Sequence, residues 1–274
     1  MPNSLEIAPL ELINAAHTRG PIRAAVFDFD GTLSLLRRNW QDVMIPMMIE
    51  ILAATGTSET REELAKTVEE FVMRLNGKQT IFQMMRLAEE VTARGGQALE
   101  PLAYKHQYHD LLWQQVGDRV ESVRSERTPA EELTVPNAAA FLTALQERGV
   151  ALYLASGTDL KYVQDELQVL GLGHFFGEHV YGALDDYKQF SKAMIVERII
   201  RDTGVQGSEL LGVGDGYVEI EEVKKVGGLA LGVASNEETR SGINTWKRNR
   251  LVQAGADVIV GDYRALPAIL ALLD

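Results

Sequence analysis

Short apolar runs recur along the chain at lengths that suit strands, with helical periodicity between them. Strand-like runs occupy residues 22–28, 150–155, 178–183, 210–214, 229–233 and 257–260. Between the later runs, apolar residues return every three or four positions. This spacing predicts helices over residues 137–148, 160–170, 191–203, 218–226 and 242–254. Gly149, Gly171 and Gly204 each follow such a pattern, as C-terminal caps do. Strands alternating with helices in this order predict an α/β fold, a parallel sheet covered on both faces.

The alternation stops between Ser34 and Val135. That stretch predicts helices over residues 41–55, 59–75, 80–94 and 102–115, with Ser58 as an N-cap and turns at Asn76-Gly77 and Gly95-Gly96. Met44, Met47 and Met48 read as apolar packing within it. The division is therefore residues 1–34 and 136–274 as a core and residues 35–135 as an inserted all-helical domain. Residues 1–20 read as an extra helix packed on the core.

Composition narrows the function classes. A chain of 274 residues has room for two such domains. Its net charge of −12 argues against nucleic acid or an anionic membrane as partner. It still permits a small phosphorylated ligand, which senses the local field. With no cysteine, disulfides, thiolate metal sites and a Cys nucleophile are excluded. No signal peptide and no bilayer-spanning run are visible, so a soluble cytoplasmic protein, monomer or homodimer, is the expectation.

The candidate chemistry starts where the first strand ends. The run Ala-Ala-Val-Phe leads into Asp28-Phe29-Asp30-Gly31-Thr32-Leu33. Gly31 permits a sharp turn, and a curled strand end lets Asp28 and Asp30 converge above the sheet edge, where open α/β sheets bind ligands. Two carboxylates so close call for a cation or a shared proton, and Mg2+ is the hard, oxygen-seeking choice. This hexapeptide resembles the first motif of the haloacid dehalogenase superfamily, whose phosphatases use the first Asp as nucleophile.

Further positions carry the same resemblance. The second strand ends in Ser156-Gly157-Thr158, where a hydroxyl and neighbouring amides can donate to phosphate oxygens. Another apolar strand ends in Gly214-Asp215-Gly216, and Asp215 would complete an oxygen cage with Asp28 and Asp30. Glu219 stands where relatives usually carry a further acid, and its longer arm suits pairing with a lysine or orienting a ligand. The resemblance also implies a lysine at a helix start, assigned to Lys192 with Lys188 in reserve. His106 and His109 share helical spacing but have no evident third metal ligand. Arg37, Arg38 and Trp40 lie where the chain enters the insertion, within reach of substrate or as hinge packing.

The resemblance implies a doubly wound, Rossmann-like core under a helical cap and a Mg2+-dependent phosphatase acting on a small phosphorylated metabolite. In it Asp28 is the nucleophile and Asp30 the general acid and base, its main-chain carbonyl also on the metal. Ser156, Gly157 and Lys192 hold the phosphoryl oxygens, and Asp28, Asp30 and Asp215 hold the metal. Lys78 and Gln79, in the turn between two cap helices, are candidates for reading the leaving group. A phosphomutase resembling β-phosphoglucomutase and a non-catalytic binding protein on the same scaffold are the alternatives.

Overall fold

The strand-like runs assemble into one sheet in the computed structural model, which describes residues 10–15 and 20–273. Its strands are β1 (Leu10–Leu12), β2 (Ala24–Phe27), β3 (Ala151–Asp159), β4 (Val180–Ala183), β5 (Leu210–Gly214), β6 (Leu229–Val233) and β7 (Val258–Val260). Their spatial order is β1-β7-β6-β5-β2-β3-β4. Every pairing is parallel except β1 with β7. All four residues of β2 are buried, as a strand covered on both faces requires. Phe27 pairs with Leu154 of β3 on one side and Val213 of β5 on the other. The chain leaves β2 between strands that reach the sheet in opposite directions along the order, the place where such sheets open a crevice.

The helix expected within residues 1–20 is not what the described part forms. Leu10–Leu12 is instead a short edge strand antiparallel to β7. The alternation Leu-Glu-Leu suits one covered face, and Ile13 and Asn14 continue the attachment by donating their amides to Asp257 O. Residues 1–9 and 16–19 lie outside the described residues.

Five α-helices lie between β2 and β3, the first four within the insertion: α1 (Gln41–Ala53), α2 (Arg61–Leu75), α3 (Thr80–Ala93) and α4 (Pro101–Arg124). Helix α2 is capped by Thr60 rather than Ser58. The Thr60 hydroxyl accepts from Glu63 N while the Glu63 carboxylate accepts from Thr60 N, a reciprocal pair that Ser58 lies too far upstream to make. Met44, Met47 and Met48 are buried as expected. The remaining helices are α5 (Ala138–Glu147), α6 (Leu160–Val169), α7 (Gly173–Phe176), α8 (Lys192–Thr203), α9 (Tyr217–Lys225), α10 (Thr245–Gln253) and α11 (Leu266–Ala271). No described helix is long and apolar enough to cross a membrane.

The core directly supports the strand end. Phe27 meets Phe141 and Phe176 edge-on, with ring centroids 5.9 and 6.1 Å away. Truncating such a ring costs about 3–5 kcal/mol, so the position of Asp28 is backed by packing. The buried Tyr263 hydroxyl donates to Thr32 O at 3.0 Å and its ring stacks on Phe141. The loop after β2 is thus tied down from two sides.

Candidate active site

Asp28 extends the β2 ladder by one bond, its amide donating to Val213 O at 2.9 Å. The chain then turns tightly, with Leu33 and Ser34 donating to Phe29 O and Gly31 to Ser34 O. Gly31 sits at φ 73°, and a Cβ there would lie 2.2 Å from Asp215 Oδ2, so only glycine fits. The amide of Asp215 donates to Thr32 Oγ1 at 2.9 Å, which joins the loop after β5 to the loop after β2. Asp28, Asp30, Ser156, Gly157, Lys192 and Asp215 all line one cleft between the strand ends and the helical insertion.

The structure brings Lys192, and not Lys188, to the acids. Lys192 opens α8 with Ser191 as its N-cap, and its Nζ lies 3.0 Å from Asp28 Oδ1 and 2.7 Å from Glu219 Oε2. Lys188 is exposed and rests over the Tyr187 ring. Burial alone would lower the Lys192 pKa, but the Asp28 and Glu219 carboxylates outweigh it and hold the ammonium firmly charged. Glu219 is a tether. One oxygen accepts from Lys192 and the other from Gly216 N at 2.7 Å. Its place at the start of α9 also suits the helix dipole.

Asp30 sits in a different environment. Its Oδ2 accepts from Thr158 Oγ1 at 2.7 Å, and its Oδ1 is 3.9 Å from Arg37 Nε. Arg37 is itself clamped by the buried Glu166, with Nη2 2.6 Å and Nε 3.0 Å from Oε1. Burial pushes the Asp30 carboxyl up to about 7, against the pull of Arg37. Its side chain keeps 26 % exposure and lines the cleft. Asp28 is also raised well above the ordinary carboxylate range, first by burial, with Lys192 opposing and Glu219 and Asp215 adding to it.

Oxygens of Asp28, Asp215 and Glu219 approach within 4.8 Å of one another. A second buried lysine closes this cluster. Lys247 of α10 lies 2.7 Å from Asp215 Oδ2 and 2.6 Å from Glu237 Oε1. Asp28, Asp215, Glu219 and Glu237 thus place four acid groups around two ammonium groups. An all-oxygen donor set with more acids than cations fits a divalent, hard cation. Such an ion would also draw Asp28 back to its ionised form.

Ser156 is buried on the cleft wall and accepts from Thr158 N at 3.1 Å. The β3–β4 register shifts between Ala155 and Asp159, so residues 156–158 leave the regular ladder just where the cleft lies. Gly157 is closely approached, since a Cβ there would stand 3.0 Å from Lys78 O. Lys78 is exposed and lines the cleft. Gln79 is placed differently from the expectation: its side chain is buried, its Nε2 donates to Phe190 O at 2.7 Å and Tyr187 O at 3.1 Å, and its Oε1 is buried without a hydrogen-bond partner.

Sequence reasoning missed Lys247, Glu166 and the Thr158–Asp30 bond. Thr158 was within sight beside Ser156-Gly157. Lys247 and Glu166 sit on helices with no local motif to mark them. His109, with no metal partner among the described residues, packs beside Asp159, whose carboxylate already pairs with Lys105 at 2.5 Å.

Comparison with known proteins agrees with this fold. Three solved structures share the fold, each covering 92 % of this chain. They are a predicted phosphoglycolate phosphatase from Haemophilus somnus (18 % identity, 99 % of that chain, TM-score 0.59), a predicted phosphatase from Clostridium acetobutylicum (18 %, 100 %, 0.59), and a HAD family hydrolase from Deinococcus radiodurans with bound phosphate and sodium (18 %, 96 %, 0.52). No curated protein matches the sequence. The sequence model of the haloacid dehalogenase-like hydrolases matches residues 22–227, from the strand that delivers Asp28 through the helix that carries Glu219, and the chain belongs to that family of hydrolases.

Proposed function

We propose that this protein is a Mg2+-dependent phosphatase that cleaves a small phosphorylated metabolite, a monoester of the phosphoglycolate or sugar phosphate kind. One observation carries the reading. A carboxylate paired with a buried ammonium, Asp28 with Lys192, shares a cleft with a second carboxyl, Asp30, whose proton is held to about pH 7. The general acid is thus protonated near neutral pH, while the nucleophile, whose carboxyl is also raised by burial, would be drawn to its ionised form by Lys192 together with a cation in the acid cluster.

One carboxylate oxygen of Asp28 attacks phosphorus, while the other, 3.0 Å from Lys192 Nζ, is the one that would also face the metal. The P–O bond to the alcohol breaks as the P–O bond to Asp28 forms, and Asp30 gives its proton to the departing oxygen. In the second half Asp30, now a carboxylate, takes a proton from water. That water attacks phosphorus and frees Asp28. The Ser156 hydroxyl, the Gly157 amide and Lys192 hold the phosphoryl oxygens. Asp28, Asp215 and the main-chain carbonyl of Asp30 would hold Mg2+, which supplies positive charge for the phosphoryl group. Thr158 and the Glu166-clamped Arg37 orient Asp30. Residues 35–135 act as a cap over the core of residues 1–34 and 136–274, with Lys78 at its tip facing the leaving group.

The test is phosphate release from a panel of metabolite monoesters with Mg2+ and with EDTA. Release that needs Mg2+ and vanishes in Asp28→Asn is the expected result. No release from any substrate by the wild type would overturn the reading. A hexose 1-phosphate isomerised without free phosphate would replace it by the mutase.

A further inference from the structure

Lys247 enters the acid cluster from α10, outside every strand end. Its Nζ lies 2.7 Å from Asp215 Oδ2, 2.6 Å from Glu237 Oε1 and 3.1 Å from Ser235 Oγ. Three acceptors use the three hydrogens of an ammonium. Ser235 gives its own hydrogen to Gly31 O at 2.6 Å, so its oxygen faces Lys247 as acceptor. The side chain is only 9 % exposed, and Asn244 caps the helix start by accepting from Lys247 N at 3.0 Å. Oxygen Oδ2 of Asp215 is therefore committed to a fixed cation.

We infer that Lys247 is a positioning residue that leaves Asp215 a single free oxygen and thereby biases the cluster toward Mg2+ and against Ca2+. The inference rests on the metal role proposed for Asp215. Mg2+ takes six oxygens at about 2.0–2.1 Å, whereas Ca2+ takes six to eight at about 2.3–2.6 Å and reaches the higher numbers by using carboxylates through both oxygens as well as one. A carboxylate with one oxygen held by an ammonium suits the first ion and withholds the two-oxygen mode from the second. Both Glu219 oxygens are already engaged, by Lys192 and by Gly216 N, so the two-oxygen option rests on Asp215. Lys247 is the restriction that can be removed without touching the lysine beside the nucleophile.

The experiment is calorimetric titration of the full chain with MgCl2 and with CaCl2, without substrate. Lys247→Met frees Asp215 Oδ2 for two-oxygen coordination, and the ratio of Ca2+ to Mg2+ affinity is expected to rise by about tenfold. Because Lys247→Met strands Glu237 beside Asp215, the double variant Lys247→Met/Glu237→Gln is measured with it and is expected to show the same rise. Glu237→Gln alone keeps the ammonium on Asp215 and should keep the wild-type ratio. Thermal unfolding at matched concentrations of each ion gives an independent readout, since the better-bound ion raises Tm more. A wild type that binds both ions, with an unchanged ratio in both Lys247 variants, overturns the inference while the metal reading stands. A wild type that binds neither ion overturns both.

Discussion

The side-chain amide of Gln79, in the turn between α2 and α3, donates to the main-chain carbonyl of Phe190 at 2.7 Å, two residues before Lys192. A second bond from the same nitrogen reaches Tyr187 O. The helical insertion is thereby fastened to the segment that delivers the ammonium paired with Asp28. Gln79→Ala removes both bonds and leaves two carbonyls to find water, a loss of about 1–3 kcal/mol if each bond contributes the usual net amount. The expected result is a fall in kcat/KM of about tenfold or more for every substrate alike. Lys78→Ala should instead reorder the substrates if the proposed reading of the leaving group is right, because Lys78 is exposed and lines the cleft. A Gln79→Ala enzyme with wild-type kcat/KM across the panel would show that this attachment is unimportant for turnover.

The two lysines near the end of the sheet separate cleanly in the structure, and kinetics should separate them too. Lys192→Ala removes the only described ammonium that touches Asp28 and leaves Glu219 buried with half its partners. Losing a preorganised charge of this kind costs about 10²–10³ in kcat. Lys188→Ala, on an exposed side chain over Tyr187, should stay within a factor of two to three of wild type, about what a surface substitution does. The opposite ranking in steady-state assays would overturn the assignment of Lys192.

With Asp30 as the general acid proposed above, activity should be sensitive to pH. Burial raises its carboxyl to about 7, so it carries a proton below that value and loses it above. Expulsion of an alkoxide needs that proton. For substrates with poor leaving groups, kcat/KM should fall tenfold per pH unit above about 7, since this parameter reports the free enzyme. An aryl phosphate with a good leaving group should show a much weaker limb. Asp30→Asn should flatten the limb and slow the poor substrates by about 10²–10⁴, the usual worth of a positioned acid. A limb that persists unchanged in Asp30→Asn would assign it to another group.

What the sequence revealed and what it hid have a common physical origin. Buried parallel strands read as continuous apolar runs, so β2, β3 and β5 were visible, and so were the carboxylates and hydroxyl at their ends. Strand β1 is three residues long and gave no such run. Helix α4 reaches Arg124 rather than ending near residue 115, because Gly117 and polar neighbours mask the buried line Leu112, Val116, Val120. A glycine costs a helix about 1 kcal/mol, and burial of that line offsets it. The turn at Gln79 reads alike whether it is solvated, faces a ligand or docks on backbone, and only its tertiary placement beside residues 187–190 decides. Lys247 is the extreme case. It meets Asp215 only because β6 lies beside β5 and α10 returns over that edge, a relation with no local pattern.

His109 gives a stability prediction independent of catalysis. Burial pulls its pKa down to about 3, with Arg37, Lys105, Lys161 and His106 adding repulsion. The Asp159 carboxylate 3.6 Å away would favour the imidazolium, but Lys105 already neutralises it. Folded His109 therefore stays neutral down to about pH 3, whereas in the unfolded chain it takes up a proton near 6.5. Between those values the unfolded state binds the extra proton, so stability is full above about 6.5 and falls as the pH drops. The slope from this one group is up to about 1.4 kcal/mol per pH unit. Denaturant unfolding of wild type and His109→Gln at several pH values between 7 and 4.5 isolates it, because the carboxylates titrate equally in both proteins. The variant should be less stable than wild type at pH 7, where a packed side chain has been altered, and the gap should narrow steadily as the pH falls. Parallel curves with a constant gap would mean that His109 is protonated as readily in the folded protein as in the unfolded chain.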